Sequence, residues 1–557
     1  MLKKLLSILL VLCLVLTAFV GCTNKEEPKP ADEPSDQEES SEEEAEEPEE
    51  SPQVFTYNLG AEPETLDPGK ATENIGINIL GNTSEGLTRV GKDGNPEPGV
   101  AEKWDISEDG KVYTFHLREN AKWSDGKSVT ANDFVYSWRR VLDPATAADY
   151  AYFLYPILNA EAANNGEVSL EEVGVEAVDE HTLKVTLTDP VNYFLSLCTF
   201  VTMQPVREDV VTADPEGWGI SDDGMISNGP FYVKEWTHNE KVIMVKNPEY
   251  WDADKVRLEE VEVTLINEES TALAAFEAGD VDAIDNIPVA EIPRLLSESD
   301  EIFILPDLSL YYYVFNNNEP PFDNELVRKA FALAIDRKAI VDTVTMDSSL
   351  PATGLVPNGI SYGGGDFRES GGDYGIKPEA QIEEAKKLLE EAGYPNGEGL
   401  PPVKLNYNTS ERHKKIAEAI QEMWKKNLGV DVEIVNQEWK VHLSTLEEGN
   451  FQIARIGWGA DYVHPMTFFD MWIEGSGNNY SGFFDAEFDK LVKEAMITLD
   501  ENKAAELLHQ AEDIWMNRMT ISPIYYASDP EMVKGYVKDW WKSPVGNMFL
   551  RDAYIEK

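Results

Sequence analysis

The sequence predicts a mixed α/β protein of more than one lobe, and three observations point there. At 557 residues the chain is too long for one ordinary hydrophobic core. Aromatic residues make up 10%, which suits packed globular interiors rather than a disordered or coiled-coil chain. Runs of alternating apolar and polar residues are interleaved with runs of helical period along the body.

The elements follow in order. "VYTFHLRENAKWSDG" opens with period two and ends in a turn, so it predicts a strand. "HTLKVTLTDP" reads the same way and is bounded by Asp189-Pro190. "TALAAFEAGDVDAI" pairs a helix with a Gly-Asp turn and a short strand. "PEAQIEEAKKLLEEAGYP" is an amphipathic helix stopped by Gly393 and Pro395. "SERHKKIAEAIQEMWKKNLGVDVEIVNQEW" predicts a helix, a stop at Gly429, and a strand with Val430, Val432 and Ile434 on one face. "RIGWGAD" reads as a strand punctuated by Gly457 and Gly459, where small residues let another backbone come close. No fixed-period repeat is present.

Charge excludes some functions. The formal net charge of −56 argues against nucleic acid, which needs Lys and Arg against phosphate, and against adhesion to anionic lipid. The N-terminus "MLKKLLSILLVLCLVLTAFVGC" has Lys3 and Lys4, an apolar stretch from Leu5 to Val20, then Gly21-Cys22, and reads as an export signal. Its end resembles a bacterial lipoprotein lipobox, which implies cleavage before Cys22 and acylation of that cysteine. Phe19 departs from the aliphatic residue usual there. Residues 22–53 follow as an acidic tether: from Thr23 to Gln53 there are 14 acids and two lysines and almost nothing apolar, a composition that stays disordered. Fully stretched at roughly 3.3 Å per residue it reaches up to about 100 Å. After processing only Cys22 and Cys198 remain, so no internal disulfide is expected.

Several segments in order resemble a known family. They include "AEPETLDPGKA", "EGLTRVGKDGNPEPGVAEKWDISEDGKVYTFHLRENAKWSDGKSVTANDFVYSWRRVLDP", "SNGPFYVKEW", "YYYVFNNNEPPFDNELVRKAFALAIDR", "QEWKVHL" and "ARIGWGADYVHP". Together, behind a lipobox-like signal, they resemble bacterial extracellular solute-binding protein family 5, the peptide receptors of ABC importers. The resemblance implies an α/β, periplasmic-binding-protein-like type II fold: two lobes with an inserted extra domain, the chain crossing between lobes twice. It places lobe I at residues 54–84, 226–313 and 523–557, the inserted domain at 85–225, and lobe II at 314–522. It further implies a monomer, lipid-anchored at the extracytoplasmic face of the cell membrane. Such a monomer delivers oligopeptides to membrane permease subunits driven by cytoplasmic ATPases.

A receptor for peptides of any sequence must hold backbone groups, an α-amine and an α-carboxylate. Strand edges meet the first need and opposite charges in a sheltered cleft meet the second. Arg455 and Asp461 stand six residues apart, an even spacing that shares one strand face over roughly 20 Å at about 3.3 Å per residue. On residues alone Asp461 reads as a turn or helix-capping acid. By resemblance it pairs with the ligand's α-amine, and Arg455 is available to the α-carboxylate. The resemblance adds His413 at the carboxylate end and Trp439, Trp458 and Tyr150 as pocket residues. It also adds Tyr313, Asn316 and Tyr526 near the lobe crossings, and the backbone around Glu73 and Asn74. A further basic contact belongs in the loop "TVTMDSSLPATG", where no Lys or Arg stands.

Other members of the family take dipeptides, heme or nickel complexes, or oligosaccharides, and a peptide-sensing role is also open. A sugar receptor has no use for an amine-binding acid, so Asp461 discriminates. No His-Glu-x-x-His spacing, Gly-x-Ser-x-Gly elbow or phosphate loop is present, so no metal, cofactor or catalytic residue is assigned.

Overall fold

The computed structural model describes residues 52–557 apart from 93, 222, 223 and 373. The signal-like segment, Cys22 and the acidic run as far as residue 51 lie outside the described residues. Gln53, counted with the tether by composition, is fastened to the body. It exchanges hydrogen bonds with Ile555 at 3.0 and 3.1 Å, and its carbonyl accepts from Glu259 N–H at 2.8 Å.

The strands that matter begin with β1 (Val54–Asn58), followed by β2 (Ala101–Ile106), β3 (Val112–Leu117), β4 (Val175–Asp179) and β5 (Thr182–Thr186). Next come β6 (Phe231–Thr237), β7 (Lys241–Lys246), β8 (Glu260–Thr264), β9 (Ala283–Ile284) and the long β10 (Ile302–Phe315). Then follow β11 (Leu350–Pro351), β12 (Val403–Asn408), β13 (Val432–Gln437), β14 (Ile453–Gly459) and β15 (Ile521–Val533). Six helices bear on the site or its frame: α1 (Asn74–Thr83), α2 (Ala131–Leu142), α3 (Glu269–Ala278), α4 (Ile382–Glu391), α5 (Glu411–Leu428) and α6 (Trp439–Glu447).

One mixed sheet runs β13-β12-β14-β10-β15-β9-β1-β8-β7-β6, with β11 also on β15. Its two halves share β10 and β15. The start of β10, Ile302–Pro306, pairs with Ser528–Met532 of β15, and its end pairs with the start of β15, with a register shift between Pro306 and Leu310. The far end of β15 pairs with β9 in one half, while Ser309–Phe315 of β10 pairs with β14 in the other. The chain therefore crosses from half to half along these two strands. A separate antiparallel sheet, β2-β3-β5-β4, lies apart from the large one. Helix α2 packs Phe134 and Trp138 into the core beside it, and Trp138 Nε1 donates to Met203 O at 2.8 Å.

Local signals placed these elements where the sequence has them. Ser410 caps α5, its hydroxyl accepting from His413 N–H at 3.3 Å. Gly429 ends the helix at φ 73°, and a Cβ there would sit 2.6 Å from Asn396 O, so only glycine fits. Arg337 is wholly buried in the half that holds β14. Its guanidinium donates to Pro523 O at 2.7 Å, Ala332 O at 3.1 Å, Ile335 O at 3.2 Å and Ser522 Oγ at 3.2 Å. It thereby ties the start of β15 to the loop after the preceding helix. Arg337→Met removes these donors, from Pro523 O among others, and each buried group left unmet costs on the order of 1–3 kcal/mol. The expected outcome is a thermal midpoint lower by several degrees in differential scanning calorimetry.

Candidate functional site

Strand β14 has one edge occupied and one edge partly open. Ala460 N–H donates to Leu308 O at 2.9 Å, continuing the ladder to β10. Backbone groups alternate along a strand, so Arg455, Gly457 and Gly459 turn theirs to the opposite edge. On that edge the pairing with β12 stops at Asn406 against Ala454. The carbonyl of Arg455 is taken by His442 Nε2–H at 2.7 Å. Beyond it, no strand of the described residues pairs with Gly457 or Gly459 on that side. Side chains alternate too: Ile456 and Trp458 are buried, while Arg455, Gly457 and Gly459 lie on the half-exposed face. A Cβ at Gly457 would meet no atom closer than 3.5 Å, so this face is kept flat and clear.

At one end of the strand sits a basic cluster. The Arg455 guanidinium lies 4.6 Å from the centre of the Tyr311 ring and donates to Asn408 Oδ1 at 3.2 Å. Its Nε is buried without an acceptor, and no carboxylate pairs with it among the described residues. Tyr311 also reaches His413, with 3.3 Å between its hydroxyl and Nδ1, and stacks on Tyr525 at 4.6 Å. His413 is not the solvent-facing residue that its place in the first helical turn suggests. Burial, with Arg455 and Arg412 nearby, pushes its pKa well below the usual imidazole value, so it is neutral at pH 7. Arg412 differs from Arg455 in being ion-paired, with buried Asp347. Asp347 belongs to the loop where the resemblance led to the expectation of a basic contact; that loop supplies an acid instead.

At the other end Asp461 has the opposite problem. Its Oδ1 accepts from Tyr150 OH at 3.2 Å and its Oδ2 from Thr467 Oγ1 at 3.2 Å. Thr467 Oγ1 in turn accepts from Asp461 N–H at 3.1 Å. No Lys, Arg or His pairs with this carboxylate among the described residues. Burial, and secondarily the nearby Asp470, raises its pKa well above the ordinary carboxylate range. It is neither a helix cap nor a solvated turn acid. Trp458 supports this corner from the buried face, its Nε1 donating to Thr467 O at 2.7 Å and its ring 6.1 Å from that of Tyr150.

The remaining expected residues are placed differently. Tyr313 is fully buried opposite Arg455 in the ladder, without contact to solvent. Asn316 commits its amide to Gly449 O and Phe451 O, and its Oδ1 to Asn318 N–H, so it fixes a turn. Tyr526 pins a loop, accepting from Gly354 N–H at 2.9 Å and donating to Gly354 O at 3.3 Å. Glu73 caps α1: its carboxylate takes Ile75 N–H and Gly76 N–H, and burial still lifts its pKa to about 8. The carbonyls of Glu73 and Asn74 are engaged by Ile77 N–H and Asn78 Nδ2. Trp439 opens α6, 6.2 Å from the His442 ring. Tyr311, Asn408, Arg412, His442 and Thr467 are part of the two clusters yet were not singled out. Only Tyr311 left a signal, since it stands two residues before Tyr313 and so shares its face.

The two halves of the sheet also touch through helix ends. Glu269, in the first turn of α3, accepts from Ser410 Oγ at 2.6 Å and Arg412 N–H at 3.4 Å. Glu411, in the first turn of α5, accepts from Ser270 Oγ at 2.8 Å and its N–H at 3.4 Å. Each helix offers an acid to the positive end of the other.

The chain as a whole is similar to known proteins. The oligopeptide-binding protein OppA of Bacillus subtilis strain 168 is 39% identical over 508 residues, covering 90% of this chain and 92% of its own. The structure of Haemophilus influenzae OppA in complex with RPPGFSPFR matches with a TM-score of 0.84 at 35% identity, covering 91% of this chain and 99% of that one. The Escherichia coli murein tripeptide binding protein MppA matches at 0.84 with 35% identity, over 90% of this chain and 98% of that one. The unliganded open form of MppA scores only 0.61, at the same 35% identity and over 91% and 98% of the two chains. Residues 95–480 match the bacterial extracellular solute-binding proteins, family 5, and with these relatives the chain belongs to that family.

Proposed function

We propose that this protein captures peptides along the open edge of β14 and hands them to the permease subunits of an ATP-driven importer. One observation carries the reading: an acid without a cation and a guanidinium without a carboxylate stand at opposite ends of one strand whose edge is free. A zwitterionic extended chain supplies what both ends and the edge lack. Its amine goes to Asp461, its carboxylate to Arg455 with His413 and Tyr311 beside it, and its backbone to Gly457 and Gly459. The binding is indifferent to side chains because main-chain hydrogen bonds carry it. No bond is made or broken, so the protein acts as a receptor and not as an enzyme. Support comes from the peptide-bound relative and from the family's extracellular binding role.

The rest of the assignment follows the same reading. Cys22 is acylated after cleavage of residues 1–21, and the acidic segment to about residue 53 tethers a monomeric body to the outer face of the cell membrane. Lobe I comprises 54–84, 226–313 and 523–557, the inserted domain 85–225, and lobe II 314–522. On those limits the α3–α5 exchange joins lobe I to lobe II. Peptide bound to both lobes favours the closed state, which is the form that docks on the permease.

Asp461→Ala removes the only acid assigned to the amine. Calorimetric titration is expected to show a loss on the order of 10²-fold for free-amine peptides, as when one partner of a buried charge pair is removed, and little change for N-acetylated ones. An equal loss for both would sink the assignment. Protonation of Asp461 competes with the ligand's ammonium. Since its pKa is raised in the empty site, affinity for free-amine peptides falls as pH is lowered, beginning above the ordinary carboxylate range. N-acetylated peptides lack that dependence, and titrations from about pH 8 to about pH 5 check the difference. The double change Glu269→Gln and Glu411→Gln weakens closure rather than recognition. At about 0.3–1 kcal/mol per helix-end acid it lowers affinity roughly fivefold for every peptide alike, and small-angle scattering reports a more open average shape.

A further inference from the structure

The stretch that carries Asp461 folds back on itself and brings a second acid toward the same interior. Thr467 Oγ1 meets both the amide and the carboxyl of Asp461, and Trp458 Nε1 holds Thr467 O. Three residues on, Asp470 is 2% exposed, and its Oδ2 accepts from Tyr462 OH at 2.7 Å. The Tyr152 phenol lies in the field of both carboxyls.

The groups packed around this pair are neutral. Asp461 faces Tyr150, Tyr152 and Thr467, and Asp470 faces Tyr462, Tyr152 and Tyr193. Burial lifts each of these phenols above its ordinary value. His464, stacked on Tyr193 at 4.6 Å, is pushed down to about 3 by the same cause. On the cavity side of Asp461 stand Arg89, Arg551 and Glu85, each already engaged. Arg89 pairs with Glu97 at 2.8 Å, Arg551 with Asp552 at 3.0 Å, and Glu85 accepts from Tyr250 OH and Trp251 Nε1. Two carboxyls in one sheltered corner without a cation cannot both ionise freely, so the pair titrates as a unit and retains a proton where a lone carboxyl would not. In keeping with this, burial raises Asp470 to about 7.

We propose that Asp470 is a positioning residue for amine capture: it keeps a proton on its pair with Asp461 in the empty site, and the arriving peptide ammonium displaces that proton to solvent. The carboxyl O–H bond breaks and its proton goes to the buffer, while the ammonium arrives already protonated and donates its own N–H groups to the vacated oxygen. The charge on Asp470 then attracts the ammonium from behind Asp461, so one residue raises both the proton affinity and the amine affinity of the corner. The inference rests on the reading that Asp461 takes the peptide amine.

The test is calorimetric titration of the full chain at about pH 7 in buffers of different ionisation enthalpy, with Ala-Ala-Ala-Ala and its N-acetylated form. The wild type is expected to release about half a proton or more per free-amine peptide bound, and none with the acetylated one. Asp470→Asn keeps the shape and an acceptor for Tyr462 but removes the charge. It is expected to cut the proton release at least about twofold and to move the fall in free-amine affinity about one pH unit lower. Above about pH 8 it weakens free-amine binding about three- to tenfold and changes acetylated binding by less than about twofold. Tyr462→Phe removes a donor that favours ionised Asp470, so it shifts the free-amine profile in the same direction, and an unchanged profile there overturns the inference where Asp470→Asn does not fold. Absence of proton release from the wild type, an unchanged profile in Asp470→Asn, or equal weakening of both peptides by it also overturns the inference. The peptide-receptor reading survives those results as long as the wild type prefers the free-amine peptide. A wild type that binds both forms equally brings down both.

Discussion

The structure depends on two strands that belong to both halves of one sheet. β10 and β15 hydrogen-bond to each other along most of their length, and their outer edges belong to different halves, β14 lying along the end of β10 and β9 along the end of β15. Any opening of the cleft must therefore bend or twist these strands, since no other strand of the sheet passes between the halves. The same pair fixes the floor of the site. Register along β10 sets Tyr311 opposite Gly457 and Tyr313 opposite Arg455, so the aromatic ring between Arg455 and His413 is placed by sheet geometry.

Several charges are paired with opposite ones, while wholly buried Arg337 and buried Glu73 are held by neutral groups instead. Arg368 is ion-paired with buried Glu512, Lys542 with Asp529 and Glu531, and Arg412 with Asp347. Buried charges left alone are costly, and a fold normally pairs them. Asp461 and Arg455 are left without such partners at the two ends of a strand with a free edge. The cost is reduced by neutral hydrogen bonds, from Tyr150 and Thr467 on the acid and to Asn408 from the guanidinium. Those groups soften the burial without neutralising the charge, which leaves a charged ligand something to gain. The exchange of acids between the N-termini of α3 and α5 ties the two helix ends together.

Much of the fold was legible because its signals are local. The end of α5 at Gly429 and the alternation along β14 depend on residues within a few positions of one another. The even spacing of Arg455 and Asp461 was legible for the same reason, and their shared half-exposed side follows from strand period alone. The partners were not legible. Tyr150 reaches Asp461 across 311 residues, Tyr311 reaches His413 across 102, and Arg412 reaches Asp347 across 65. Asn316 and Tyr526 have the right residue types for a site, but their polar atoms are used up by backbone groups.

The sequence by itself therefore determined the element types and the strand whose even spacing sets Arg455 and Asp461 toward one side. Period and capping are properties of neighbouring residues, so they survive without knowledge of the fold. Only the tertiary structure decided which charges stay unpaired, which edge stays open, and which of two adjacent residues, Arg412 and His413, is already neutralised. Those outcomes depend on distant segments meeting in space, and a carboxylate becomes a binding group or an ordinary ion pair according to what arrives beside it.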